Sequence, residues 1–233
     1  MQFPDWVVER VIARQGRLHP YPELDARHTA FVVVDLQNYY TQPGFQAECA
    51  AARATLPAVN RLAAALRAAG GHVVWVQTCA DGADDFWSHH HGVMLTPERS
   101  RRRLRELAAS HAGFQLHPGL DVQPQDARVV KRCYSALAPG SSNLHEVLRA
   151  KGVTSVLVGG TCTNVCCEST ARDAMMMDYA TIMVDDCLSA LTPFEHEHAL
   201  NNWMLFFGDV LDSGEVMGRL RAHAAPPSAA RAL

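Results

Sequence analysis

Residues 155–174 read Ser155-Val156-Leu157-Val158-Gly159-Gly160-Thr161-Cys162-Thr163-Asn164-Val165-Cys166-Cys167-Glu168-Ser169-Thr170-Ala171-Arg172-Asp173-Ala174. A short β-branched run, a glycine pair and a helix-forming segment follow one another here, which predicts a strand over 155–158, a turn at Gly159–Gly160 and a helix over 165–178. Downstream the cycle repeats: strand over 180–184, helix over 193–206, a short strand at 209–211 and a helix from Ser213. Upstream lie Phe31-Val32-Val33-Val34-Asp35, His72-Val73-Val74-Trp75-Val76-Gln77 and Arg128-Val129-Val130-Lys131, three further runs without polar alternation. Such runs suit central strands covered on both faces.

The intervening segments predict helices over 56–69, with Pro57 in the first turn and Gly70-Gly71 ending it, over 97–109, with Thr96 as cap, and over 141–151. Strands and helices alternating at this spacing imply right-handed βαβ crossovers. The expected fold is therefore α/β: a single Rossmann-like three-layer domain with an about six-stranded, mostly parallel sheet and helices on both faces. Residues 1–28 read as an N-terminal helix and irregular arm, 29–223 as the domain proper, and 224–233, rich in Ala, Pro and Ser, as a flexible tail.

Composition narrows the function class. The chain has 233 residues, 48% hydrophobic and 19% charged, with a formal charge of −3 and both signs interspersed. No basic surface is available for counterion release, so nucleic acid and anionic membrane are not expected partners, and a small molecule is. The first residues mix acids and bases with apolar positions and do not read as a signal or a membrane span, so the cytoplasm is the expected compartment. Seven cysteines without a Cys-x-x-Cys pair argue for free thiols rather than a disulfide framework or zinc knuckle.

Ligands of parallel sheets sit at the carboxyl ends of the strands. Asp35, Lys131 and Cys166 all map to that edge although they are far apart in the chain. A cysteine opening a helix feels the positive end of the dipole, and Lys131 adds a fixed positive charge, both of which are expected to lower the thiol pKa. Asp35 is placed to take the thiol proton and return it to a departing nitrogen. Asn38, Tyr39, Trp87 and Tyr134 follow the strands closely enough to be substrate-binding candidates.

Three segments, Val32-Val33-Val34-Asp35-Leu36-Gln37-Asn38-Tyr39, Val129-Val130-Lys131-Arg132-Cys133-Tyr134-Ser135 and Thr163 to Ala174, resemble in order the isochorismatase-like cysteine hydrolase superfamily, in particular its ureidoacrylate amidohydrolase and N-carbamoylsarcosine amidase members. The resemblance extends from about Thr29 to about Gly214. It implies Cys166 as nucleophile with Asp35 and Lys131, cleavage of a carbon–nitrogen bond in a small amide or ureido compound, no cofactor, and a homo-oligomer, dimer or tetramer. It further implies a non-proline cis peptide between Thr161 and Cys162, and an oxyanion hole from the backbone amides of Cys162 and Cys166. Nicotinamidases of this superfamily hold a metal through an Asp-x-His motif, whereas this chain reads Gln77-Thr78-Cys79-Ala80-Asp81-Gly82, so no metal is expected. True isochorismatases lack the cysteine.

Two alternatives stand beside that reading: a metal-assisted nicotinamidase-like amidase, and a thiol sensor using the same fold. The His89-His90-His91 run reads as a solvated loop that, with Trp87, covers the site. Cys162 and Cys167 are expected to be inert side chains, and Cys49, Cys79, Cys133 and Cys187 ordinary buried thiols.

Overall fold

The computed structural model describes residues 2–221; the expected tail at 224–233 lies outside them. Helix α1 spans Asp5–Gln15 and is followed by an arm that ends in the two-residue strand β1, Leu24–Asp25. Then come β2 (Thr29–Val34), the short α2 (Asn38–Thr41), α3 (Ala52–Ala68) and β3 (His72–Thr78). A single turn α4 (Ala83–Phe86) and the arginine-rich α5 (Pro97–Glu106) lead to β4 (Ala127–Lys131) and α6 (Leu144–Ala150). The chain ends with β5 (Ser155–Thr161), α7 (Glu168–Met176), β6 (Ala180–Ser189), α8 (Pro193–Phe206), β7 (Asp209–Leu211), α9 (Ser213–Arg219) and β8 (Leu220–Arg221).

The main sheet has six strands in the order β4-β3-β2-β5-β6-β7. Every pairing in it is parallel. Along β2 the pleat divides the buried side chains: Ala30, Val32 and Val34 join the core shared with α1, α6, α7 and α8, while Phe31 and Val33 join the one shared with α3 and α9. Each fully buried Val or Phe of such a strand is worth roughly 1.5–3 kcal/mol, so the uninterrupted apolar run fixes β2 at the sheet centre. A separate two-residue parallel ladder pairs Leu24 with Leu220 and Asp25 with Arg221.

Three local expectations change. The Gly159–Gly160 pair is not a turn, because β5 continues to Thr161, with a register shift between Val158 and Gly160 against β6. Gly160 sits at φ +117°, and a Cβ there would lie 1.9 Å from the Val34 carbonyl oxygen, so the glycine permits β5 to approach the end of β2. Helix α3 begins at Ala52 rather than near Leu56, because Ala52 and Thr55 extend the buried stripe of Leu56, Val59, Leu62 and Leu66. Pro57 therefore lies in the helix interior, where its missing N–H leaves one i−4 carbonyl without its usual bond.

The segment expected as the first turn of α7 is instead a π-helical turn over Thr163–Cys167, with the α-helix proper starting at Glu168. Wide turns of this type insert an extra residue into the ladder and concentrate at functional sites. Here the turn sets the direction in which Cys166 leaves the backbone.

Candidate active site

The carboxyl ends of β2, β4 and β5 bring the three expected residues together. Asp35, immediately after β2, has φ 58°, a left-handed conformation that Asp tolerates better than most side chains. Its backbone N–H donates to the Val76 carbonyl at 2.9 Å, which ties it to the neighbouring strand. The carboxylate is fully buried, accepts from Thr78 Oγ1 through Oδ1 at 2.8 Å, and lies 2.9 Å from Lys131 Nζ through Oδ2. Lys131, also fully buried, donates to Thr78 Oγ1 at 2.7 Å and to the Cys133 carbonyl at 3.0 Å.

Burial pulls Lys131 down, but Asp35 and Cys166 outweigh it and its pKa ends above the usual value. The ammonium is held in its charged form.

Thr78 is the residue the sequence reading missed here. It ends β3, lies directly opposite Lys131 in the register, and bridges the acid and the base with one hydroxyl. Gln37 holds it in place, donating to the Thr78 carbonyl at 3.0 Å and accepting from its N–H at 2.7 Å. The visible signal was its position as the last residue of a buried strand in line with Asp35 and Lys131.

Cys166 is 4% exposed, in the π turn, and its thiol feels the charges of both Asp35 and Lys131. The expectation of a lowered thiol pKa is overturned. Desolvation by burial is the largest effect, Asp35 opposes thiolate as well, and Lys131 offsets them only in part, so the thiol is pushed up to about 12. At rest this is a protonated thiol beside a carboxylate and an ammonium. The Thr161–Cys162 peptide bond just before the turn is cis. The Cys162 thiol is raised as well, through its hydrogen bond with Cys49 first and burial second.

Cys166 and Cys162 line a cavity of about 160 Å³ whose walls include Tyr39, Tyr40, Gln46, His90, Arg99, Arg103 and Tyr134. Such a volume is below the range of drug-sized ligand sites and suits a small substrate. Larger depressions against α1 contain none of Asp35, Lys131 and Cys166.

Of the substrate-binding candidates, Tyr39 and Tyr134 face this cavity. Asn38 and Trp87 do not line it. Asn38 turns to the 112–114 turn and donates to the Ala112 carbonyl at 2.9 Å. Trp87 stands behind the wall, stacked on His90 at 4.0 Å between centroids and edge-on to Tyr134 at 4.7 Å.

The histidine run is not a solvated loop either. His90 and His91 are buried, in a π turn over His90–Met94, and only His89 of the three is exposed. Aromatic stacking and the hydrogen bond between His91 Nδ1 and Ser100 Oγ at 3.1 Å draw them inward. His90 is lowered to about 4 by burial, then by Arg103 and His91, and is neutral at pH 7. Arg103 was also missed, because a helix dense in arginines reads as a solvated surface, and so was Tyr40, beside the candidate Tyr39 on α2.

Among the described residues no group of three or more His, Cys, Asp and Glu is placed to hold a metal ion. Gln77, near the end of β3, donates through its amide to the Phe114 carbonyl at 2.9 Å.

The isochorismatase domain model matches residues 29–215. The chain belongs to the isochorismatase family. Among the relatives of this family, the ureidoacrylate amidohydrolase RutB of Caulobacter vibrioides is 33% identical over 221 residues, covering 87% of this chain and 95% of its own length. A cysteine hydrolase from Pseudomonas syringae pv. phaseolicola superimposes with a TM-score of 0.75 at 26% identity, over 84% of this chain and 93% of its own. The N-carbamoylsarcosine amidase of Thermoplasma acidophilum shares the isochorismatase-family fold, with a TM-score of 0.61 at 23% identity over 79% of this chain and 96% of its own. Among the described residues no helix is long and apolar enough to cross a membrane.

Proposed function

We propose that this enzyme is a cysteine amidohydrolase that cleaves the carbon–nitrogen bond of a small linear amide or ureido compound, with Cys166 as nucleophile. The observation that carries the reading is a buried thiol that lines a small cavity and lies within the electrostatic reach of the fully buried Asp35–Lys131 ion pair. The names of the relatives, an amidohydrolase of ureidoacrylate and a cysteine hydrolase, point to the same chemistry.

A thiol whose pKa is near 12 does not wait as thiolate. Asp35 takes its proton as sulfur adds to the substrate carbonyl, so that charge moves onto the carbonyl oxygen rather than building on sulfur. Lys131 Nζ, 2.9 Å from Asp35 Oδ2, holds the carboxylate in place for that transfer. The backbone N–H groups of Cys162 and Cys166 receive the oxyanion. Collapse of the tetrahedral species breaks the carbon–nitrogen bond, and Asp35 gives its proton to the departing amine or ammonia. Water then attacks the thioester, loses its proton to Asp35, and the proton returns to sulfur as the acid is released.

The buried, protonated state of Cys166 speaks against a thiol sensor, since oxidants react with exposed thiolates. Ammonia release from a panel of N-carbamoyl compounds and simple linear amides, comparing wild type with Cys166→Ala, tests the assignment. Release that vanishes in the variant is expected. Release that persists would remove Cys166 from the chemistry, and no release from any compound would overturn the amidohydrolase reading.

A further inference from the structure

Cys166 stands on a turn with few local ties. The π turn over Thr163–Cys167 has no side-chain capping bond from its N-cap Cys162, and the N–H groups of Val165 and Cys167 both donate to the Cys162 carbonyl, at 3.1 and 3.2 Å. Turns of this class are rare and short, so what packs around them sets their direction. On the C-terminal side Thr170 supplies a tie: its Oγ1 donates to the Cys166 carbonyl at 2.8 Å and accepts the Ala136 N–H at 3.1 Å.

On the N-terminal side the tie is a chain of three side chains from three elements. Thr163, the first residue of the turn, is fully buried, and its Oγ1 lies 2.8 Å from His196 Nδ1. His196 sits at the start of α8, whose entry is fixed by the reciprocal hydrogen bonds of Thr192 and Glu195. The other ring nitrogen, Nε2, lies 2.8 Å from Asp185 Oδ1 on β6. Burial works against the Asp185 charge, yet the hydrogen bond with His196 helps to hold its carboxyl below the usual range. An ionised carboxylate only accepts, so Nε2 carries a proton; in the neutral imidazole Nδ1 is then the acceptor and the Thr163 hydroxyl donates.

Hydroxyl, imidazole and carboxylate in this order also make up the triad of serine hydrolases. Thr163 cannot act as a nucleophile here, because it is fully buried and does not line the cavity that Cys162 and Cys166 share. We propose instead that Asp185, His196 and Thr163 form a positioning array that locks the π turn to β6 and α8, so that the sulfur and the backbone N–H of Cys166 stay in register with Asp35. This rests on the amidohydrolase reading for the role of Cys166. A displacement of about 1 Å at reacting atoms costs on the order of a hundredfold in rate, which gives a tie of this kind its value.

The test uses Thr163→Val, which keeps the shape and removes the hydroxyl, Thr163→Ser, which restores it, and His196→Phe, which keeps a ring without nitrogens. Ammonia release from the panel above is measured with alkylation of Cys166 by iodoacetamide in the absence of substrate, followed by mass spectrometry of the peptide that carries it. Thr163→Val and His196→Phe are expected to lose about 10- to 100-fold in kcat with KM little changed, and to alkylate about 10-fold more slowly, while Thr163→Ser recovers most of both. Folded variants with a lower melting temperature but wild-type kcat and alkylation would make the array a stability device and overturn the proposal. So would a Thr163→Ser as impaired as Thr163→Val, or failure of both Thr163→Val and His196→Phe to fold. If wild type releases ammonia from no compound, the amidohydrolase reading falls but alkylation still decides: slower reaction in Thr163→Val with recovery in Thr163→Ser supports the array, and equal rates refute it.

Discussion

Asp35 and Asp209 are both fully buried carboxylates beside cations at strand ends, and they do different work. Asp35 shares its surroundings with Lys131, Thr78 and the Cys166 thiol under an open cavity. Asp209, the first residue of β7, is met by His19 at 2.8 Å and Arg219 at 3.6 Å, and accepts the Val210 N–H at 2.9 Å. Burial raises Asp209 above the usual carboxylate range although these partners oppose it. Its neighbours come from the N-terminal arm and from α9, so this cluster fastens chain segments to the sheet edge. A buried ion pair is therefore not a functional signature by itself; a nucleophile and an opening beside it make it one.

The sharpest test of this distinction is Lys131→Met. It leaves the Asp35 charge buried and unmatched, so activity should be lost and stability should drop by about 3–5 kcal/mol in denaturant titration. Unchanged stability would mean that Asp35 is not charged in the fold. Asp35→Asn should lower kcat/KM by about 10²–10⁴-fold and, because it strands the buried Lys131 ammonium, should lower stability as well. Asp209→Asn should leave turnover unchanged and cost stability alone, about 1–3 kcal/mol. A fall in kcat on the scale of Asp35→Asn would erase the contrast.

A smaller effect concerns the wall of the cavity. His90 is lowered to about 4 in the fold, whereas an unfolded histidine titrates near 6.5. The unfolded chain therefore binds the proton first, and the histidine's contribution is intact above pH 6.5 and is lost as pH falls toward about 4. Melting temperatures across that interval should decline more steeply for wild type than for His90→Asn. Equal slopes would assign the decline to other groups, His91 among them, which is also lowered.

How much of this was legible follows from where the signals sit. The parallel sheet and the meeting of Asp35, Lys131 and Cys166 could be read because apolar β-branched runs end at chemically distinctive residues. Arg103 was hidden because five arginines in ten residues of α5 suppress the apolar periodicity that marks an inward face. The raised thiol pKa was out of reach because the helix dipole and the lysine are visible in a sequence, while depth of burial, which outweighs them, is not. The Asp209 cluster draws on His19 and Arg219, at opposite ends of the described chain, and a strand of three residues has no period to read.

The Leu24–Leu220 ladder carries one consequence of a mechanical kind. Because β1 and β8 run parallel, tension applied to the two ends of the chain pulls them in opposite directions along their lengths and loads the ladder in shear. The arm bearing His19 and the helix bearing Arg219 lead directly into those two strands, and both side chains grip Asp209. The pair of short strands and the buried carboxylate thus act together as a clasp that takes a stretching force before the six-stranded sheet, and the cavity on its edge, feels it.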